Sequence, residues 1–251
     1  LARAQSVDIR DRLLAEGVRL IDGSGRLDGT HRVIATTGDG EEELPADVIL
    51  VATGAHPREL PSAVPDGERI VWGSTDRAGG AGGWDLWQAS LRDKRWTAPE
   101  PLPVNSDAND FDPLLSADGR WLYFFSSRPG GHGGDDLYRA AVRADGSFGE
   151  PENLGPGVNS AGNEWAPTPS ADGRWLLFAS NGFGGAGRHD LFVARWNGKA
   201  FVEPTPVPGI NTAVDEFDAA WLDGGKALVF ARSDQAGEQP IQLFVAECDG
   251  T

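Results

Sequence analysis

The chain has 251 residues and a formal net charge of −16 at pH 7, with 34 Gly and 17 Pro. An acidic surface argues against nucleic acid as a partner, because phosphate-binding surfaces are basic. No apolar run reaches the roughly 18 residues of a membrane span. The single cysteine, Cys248, excludes an intrachain disulfide and a cysteine-based metal site. The many glycines and prolines favour a domain rich in tight turns.

The first 64 residues differ in pattern from the rest of the chain. Residues 1–16 place apolar side chains among charges, and Gly17 follows at the position of a helix C-terminal cap, which predicts an amphipathic helix. Three short strands are predicted after it, at residues 18–23, 31–37 and 47–54, separated by turns that contain Gly and Asp. We expect these strands to pair as a small meander.

The remaining residues, 65–251, contain an internal repeat. The string SADGRWL begins at Ser116 and again at Ser170, a weaker version begins at Leu222, and VPDGERI at residues 64–70 fits as a further copy. The copies are roughly fifty residues apart, which is typical of stacked supersecondary units. The Asp-Gly pair in each copy suits a tight hairpin turn.

Each copy contains the elements of a four-stranded sheet. A strand follows the Asp-Gly turn, then a Gly-rich loop, a third strand that begins at Asp85, Asp136, Asp190 or Gln242, and a Pro-rich fourth segment. Four strands per copy without a helical period predict a β-propeller blade. We therefore predict a mainly β fold, with a small N-terminal α+β segment (1–64) and a partial propeller of about three and a half blades (65–251).

The repeat resembles a known family. The motif that runs from Asn105-Ser through Asp118-Gly to Leu137-Tyr, and again from Asn159-Ser through Asp172-Gly, is similar to the PD40, or WD40-like, repeats of TolB-type propellers. The resemblance implies a non-catalytic module that binds a protein or peptide of the cell envelope. It also implies a periplasmic or extracellular location, although no signal-peptide pattern opens this sequence.

A second resemblance covers about residues 1–70. DVILVATGAHPR, at residues 47–58, is similar to the returning strand of the FAD domain in flavoprotein disulfide reductases of the dihydrolipoamide dehydrogenase kind, including quinone-reducing members. That chemistry needs a cysteine pair and an upstream G-x-G-x-x-G turn. Residues 182–187 fit this motif by letter, but a strand follows them instead of a helix. We therefore expect no cofactor and no catalytic residue, and the alternative is an FAD-dependent oxidoreductase or a remnant of one.

The two resemblances overlap at residues 64–70. VPDGERI fits both the end of the flavoprotein-like stretch and the Asp-Gly turn of a blade. Our interpretation is a chimeric or truncated chain whose first 64 residues have lost their original function. An incomplete propeller exposes the faces of its end blades. We expect these faces to be covered by the N-terminal segment or by a second copy, so self-association is predicted.

The candidate ligand-binding residues recur once per blade. Each acidic member precedes a predicted first strand, which is the innermost strand of a blade, and each Asn lies five residues before an acidic member. The six residues are Asp110, Glu164, Glu216, Asn105, Asn159 and Asn211. We predict that they surround the mouth of the channel and bind a basic peptide, a protein segment or a cation. The alternative is structural: the carboxylates accept hydrogen bonds from backbone amides or from the paired Asn residues.

The remaining polar and aromatic candidates are interpreted as structural. His132 and His189 occupy non-equivalent loop positions without metal-ligand spacing, so we expect both to be exposed and no metal to bind. Asp118 and Asp172 suit hairpin turns. Four tryptophans are expected in the core between blades: Trp121, Trp165, Trp175 and Trp221.

Overall fold

The computed structural model describes residues 19–21, 23–28, 32–38, 40–45, 69–75, 77–92, 95–233 and 241–247. The chain divides into two compact units, Leu1–Val64 and Pro65–Thr251. The helix predicted at residues 1–16, the strand predicted at 47–54 and Cys248 lie outside the described residues.

The first unit contains a three-stranded antiparallel meander. Its strands are β1 (Ser24–Leu27), β2 (Arg32–Thr37) and β3 (Gly40–Pro45), paired in the order β1-β2-β3. The strand predicted at 31–37 is confirmed as β2, but the meander is built from other strands than the predicted set: residues 19–21 form no strand, the first strand begins at Ser24, and β3 takes the third place. Sequence reasoning missed β3, because GEEELP has low strand propensity. Pairing with β2, whose Ile34 and Ala35 are buried, fixes it in the sheet.

The second unit consists of four antiparallel sheets, which we number blades 1 to 4 in chain order. Blade 1 contains β4 (Arg69–Ser74), β5 (Asp85–Arg92), β6 (Arg95–Trp96) and β7 (Glu100–Pro101), with β6 and β7 both paired to β5. Blade 2 contains β8 (Asp110–Leu115), β9 (Trp121–Ser126), β10 (Asp136–Ala141) and β11 (Glu152–Asn153).

The last two blades repeat this plan. Blade 3 contains β12 (Glu164–Pro169), β13 (Trp175–Ser180), β14 (Asp190–Trp196) and β15 (Phe201–Pro206). Blade 4 contains β16 (Asp215–Leu222), β17 (Ala227–Ser233) and β18 (Gln242–Glu247), with a 3-10 turn at Asp223–Gly225. Consecutive strands pair within blades 2, 3 and 4, whereas in blade 1 both β6 and β7 pair with β5. The mainly β fold predicted from the repeat is confirmed.

The first strands lie on the inner side of the arrangement. β8 contacts β12, and β12 contacts β16, whereas the fourth strands of neighbouring blades make no such contact among the described residues. Within a blade, the loops between the second and third strands lie at one end, which we call the loop end. The Asp-Gly turns lie at the opposite end, which we call the turn end. Blade 1 has no described first strand and blade 4 no described fourth strand.

Apolar residues of alternate strand positions fill the spaces between blades. In β13, Leu176 and Phe178 belong to the cluster shared with blade 2, and Leu177 and Ala179 to the cluster shared with blade 4. This alternation follows from the period of two in a strand, whose side chains point to opposite faces. Blade 3 is therefore held by burial on both faces.

The first strands of blades 2, 3 and 4 share a β-bulge. The pairing register shifts between Phe111 and Leu114 in β8, and equivalent shifts occur in β12 and β16. At each bulge one non-glycine residue has a positive φ of 49° or 50°: Asp112, Ala166 and Asp218. A left-handed residue at a bulge bends the strand and turns its side chain out of the ladder.

Candidate functional site

The three predicted carboxylates are fully buried. Asp110, Glu164 and Glu216 each have 0% relative exposure, and each lies at the start of a first strand and not ahead of it. The expectation that they present free carboxylates at a channel mouth does not match this burial. Their ligand-binding role stays a prediction that no observation tests.

Each buried carboxylate accepts hydrogen bonds from the segment that links the preceding blade to its own strand. Glu164 accepts hydrogen bonds from the backbone amide and the hydroxyl of Ser160, at 2.9 and 2.5 Å, and from the hydroxyl of Ser180 at 2.6 Å. Burial raises the pKa of Glu164, and these hydrogen bonds partly offset the rise. The other two carboxylates bind the equivalent Ser106 and Thr212 and one arginine each, Arg128 and Arg232.

The three asparagines brace the third strand of the preceding blade. The side chain of Asn159 accepts from the backbone amide of Leu137 at 2.7 Å and donates to its carbonyl at 3.1 Å. Asn105 and Asn211 make the same pair of contacts with Leu86 and Leu191. An amide side chain thus replaces a strand neighbour where the fourth strand has ended. The carboxylates bind backbone amides, as the structural alternative stated, but not the asparagines.

The Gly-rich loops wrap around a second set of buried carboxylates, which the sequence analysis placed only as strand starts. Asp136 accepts from the backbone amides of His132 and Gly133, at 2.6 and 3.0 Å. Asp85 and Asp190 hold the equivalent loops. The amides of the 182–187 loop therefore bind a carboxylate of the chain itself. The G-x-G-x-x-G pattern of this loop is explained without a phosphate.

A row of aromatic side chains crosses the loop end from blade to blade. The centroid of Phe111 is 4.3 Å from that of Trp84 and 5.9 Å from that of Phe125, which is 6.4 Å from that of Trp165. Trp84 is 41% exposed, and the other three rings are half-buried. The row presents apolar and π-electron surface at this end of the blades.

His189 extends this row and is buried, so its expected exposure is wrong. Its ring stacks on Trp165 with centroids 3.7 Å apart, and its Nδ1 lies 2.8 Å from Oδ1 of Asp215. His189 Nε2 and Asp215 Oδ2 are both buried without a hydrogen-bond partner among the described residues. Sequence spacing did not show this pair, because its members come from different blades. His132 is exposed, as predicted.

Two carboxylates lie at the bulges on the inner side. Burial and, to a smaller extent, the Asp218 carboxylate raise the pKa of Asp112 to about 7, against the opposing effect of a hydrogen bond from the Ala166 amide. Burial also raises the pKa of Asp218, although its side chain remains accessible to solvent. Asp112 directly follows Phe111 of the aromatic row in β8, and its interaction with Asp218 makes this an acidic region. It was missed from sequence, because the bulge that exposes it is not visible in the repeat.

A recess of about 350 Å³ lies at the turn end between blades 2 and 3. Two equivalent Asp-Gly turns flank it, and the Arg139 guanidinium lies inside, 3.9 Å from the ring centroid of Trp121 and 5.3 Å from that of Trp196. Arg139 also binds Glu152, at 3.1 and 3.2 Å. The guanidinium is thus already bound by protein groups.

The turns themselves are held by their aspartates. Asp118 accepts from the hydroxyl of Ser116 at 2.7 Å and from the amide of Arg120 at 3.1 Å, and these contacts lower its pKa to about 2. Asp172 is bound in the same way. Trp175, predicted in the core, is 42% exposed, because it begins β13 at the open turn end.

Two kinds of feature are absent from the described residues. No group of three or more His, Cys, Asp or Glu side chains is placed to hold a metal ion among the described residues. No helix in the described ranges has the length and apolar character of a membrane span.

Comparison with known proteins gives two separate likenesses. The NAD(P)H dehydrogenase (quinone) of Mycobacterium tuberculosis is 58% identical over 78 residues, which cover 28% of this chain and 16% of that protein. A dihydrolipoyl dehydrogenase of Zymomonas mobilis is 38% identical over 80 residues, again 28% and 16%. The chain thus spans about a sixth of these curated relatives. No family model matches the chain.

Solved structures resemble the fold. A putative TolB from Agrobacterium tumefaciens has a TM-score of 0.41 at 22% identity, over 70% of this chain and 59% of that one. An endo-arabinase from Bacteroides thetaiotaomicron has a TM-score of 0.49 at 15% identity, over 93% and 95%. The sequence resemblance to flavoprotein dehydrogenases is confirmed by these partial relatives, and β-propeller structures, a putative TolB among them, are structural neighbours of the chain.

Proposed function

We propose that residues 65–251 form a non-catalytic binding module whose ligand is a protein segment or peptide held at the loop end. The observation that carries the proposal is the aromatic row, which stays partly open to solvent at Trp84 and includes Phe111, the neighbour of Asp112 in β8. Asp112 in turn interacts with Asp218. Aromatic side chains are enriched at protein interfaces, where they bury area at a low entropy cost.

The charge of the site favours a basic ligand. Lysine and arginine bind both carboxylates and the faces of aromatic rings. The net charge of −16 also steers cations toward the protein at low salt. A peptide that carries a basic and an apolar side chain would therefore contact both parts of the site. A location in the cell envelope belongs to the proposal, and fractionation of producing cells would check it.

Two tryptophans of matched exposure allow a direct test. Trp84 lies at the loop end with 41% exposure, and Trp175 lies at the turn end with 42% exposure. The probe is a fluorescein-labelled peptide library that contains lysine and an aromatic residue, with a second library in which glutamate replaces lysine. We expect the lysine library to bind, and Trp84→Ala to weaken binding about tenfold, the usual cost of losing an interface aromatic.

The double change Asp112→Asn with Asp218→Asn should reduce the preference for lysine over glutamate, while Trp175→Ala should leave binding unchanged. An equal loss in Trp84→Ala and Trp175→Ala would contradict a site at the loop end. The absence of binding to either library would contradict the peptide-binding function.

The alternative function is that of an FAD-dependent oxidoreductase or a remnant of one. It is favoured by the 58% identity to the quinone-reducing dehydrogenase of Mycobacterium tuberculosis. The test is to mix the purified protein with FAD, pass it through a desalting column and record the absorbance of the protein fraction. Flavin absorbance that stays with the protein would support an FAD-dependent oxidoreductase, and a colourless protein would leave at most a remnant of one.

A further inference from the structure

The last blade exposes an apolar face that is buried in the other blades. Leu243, the second residue of β18, is 70% exposed, and Val245 on the same face is 66% exposed. The equivalent second residues of the other third strands are Leu86, Leu137 and Leu191, and each has 0% exposure. The same sequence position therefore changes from core to surface where no following blade is described.

The repeat itself shows what covers this position. Leu137 of blade 2 packs in one cluster with Leu176 and Phe178, from the second strand of blade 3. Leu191 of blade 3 packs with Leu228 and Phe230, from the second strand of blade 4. The cover is thus a pair of apolar residues, two positions apart, on the second strand of the next blade.

Blade 1 carries such a pair without a described blade before it. Ile70 and Trp72 of β4 occupy the positions of Leu122 and Phe124 in β9, which are fully buried, whereas Ile70 and Trp72 are half-buried. Val71 packs toward blade 2, so its two neighbours lie on the opposite face of the sheet. The Arg77 guanidinium lies over Trp72 and Trp87 and covers part of that face.

We propose that a second copy of this chain docks head to tail, with the Ile70–Trp72 face of its blade 1 on the Leu243–Val245 face of blade 4. The contact would continue the packing already present between blades 2 and 3 and between blades 3 and 4. Such an interface is heterologous, since two different surfaces meet, and it buries apolar area that is exposed in the single copy.

The test combines one variant on each face. Leu243→Lys changes the blade 4 face, and Ile70→Lys changes the blade 1 face. If circular dichroism shows that Ile70→Lys misfolds, Ile70→Ser is used in its place. The control is Gln242→Lys, which adds the same charge to β18 on the other face. Analytical ultracentrifugation of the full chain from about 1 μM to about 100 μM covers the range of ordinary protein interfaces.

We expect the unchanged protein and Gln242→Lys to associate with rising concentration, and each face variant alone to bind at least about tenfold more weakly. A mixture of Leu243→Lys with Ile70→Lys retains one intact pair of faces, so it should give a species of twice the monomer mass and no larger. The proposal is overturned if the unchanged chain stays monomeric because another segment covers the faces. It is also overturned if Ile70→Lys associates normally, as pairing of two β18 edges would predict.

Discussion

The two ends of blade 3 place the same type of side chain in opposite environments. At the loop end of blade 3, Glu164 is fully buried and its pKa is raised, whereas at the turn end Asp172 is exposed and its pKa is lowered. Both carboxylates accept a serine hydroxyl and a backbone amide. The difference shows that a repeated acidic residue can hold a blade junction at one end and shape a single turn at the other.

The largest expected effect is at the loop end. Glu164→Ala leaves the amide and hydroxyl of Ser160 and the hydroxyl of Ser180 without their acceptor in a buried space. We expect a loss of about 3–5 kcal/mol in the free energy of unfolding, measured by urea denaturation. The control is Glu152→Ala, whose side chain is 53% exposed. Equal losses in the two variants would remove the distinction between buried and exposed carboxylates.

Gly133, also at the loop end, should be nearly as sensitive to substitution as Glu164. A Cβ at Gly133 would lie 2.1 Å from the carbonyl oxygen of Gly162, in the linker that leads to blade 3. We expect Gly133→Ala to destabilise the protein by about 2–3 kcal/mol, because the backbone must move apart. Gly149, where a Cβ meets nothing closer than 3.5 Å, is the matched site. Urea denaturation should show Gly149→Ala within about 1 kcal/mol of the unchanged protein.

Removal of the Asp112 carboxylate, at the bulge of β8, should increase stability instead of reducing it. Its folded-state pKa of about 7 lies above the ordinary value of 3.8, so its ionisation costs stability as pH rises from 4 to 7. We expect Asp112→Asn to stabilise the protein by about 1–2 kcal/mol at pH 8, allowing for partial solvent screening. Denaturation at several pH values should show this gain disappearing near pH 4. A gain that is independent of pH would contradict the assignment.

The smallest effect is expected at the turn end. Asp172→Ala removes contacts to Ser170 and to the Arg174 amide, but water can replace them at an exposed turn. We expect a loss of stability far smaller than that of Glu164→Ala, again by urea denaturation. A loss as large as that of Glu164→Ala would show that the turn end also holds the blades together.

The repeat predicted the fold of residues 65–251 well, because strand alternation and the Asp-Gly turns are local signals. It also located the recurrent residues around Asn159 and Glu164. The roles of these residues could not be predicted from the repeat. The partners of Asn159 lie in the preceding blade, and the burial of Glu164 depends on how the blades stack. The bulge at Asp112 and the His189–Asp215 pair arise from contacts between strands, which a single-sequence pattern does not encode.

The asparagine brace has a consequence for chemical ageing. In deamidation, the backbone nitrogen of the next residue attacks the asparagine side-chain carbonyl. At Asn159 that nitrogen belongs to Ser160 and donates to Glu164, while the asparagine amide is fixed on Leu137. In the folded blade, these hydrogen bonds keep the Ser160 nitrogen and the Asn159 side chain out of the geometry that the attack requires. Deamidation of Asn159 therefore requires the junction to open first. The carboxylate formed cannot donate to the Leu137 carbonyl, so the junction would stay weakened after the reaction.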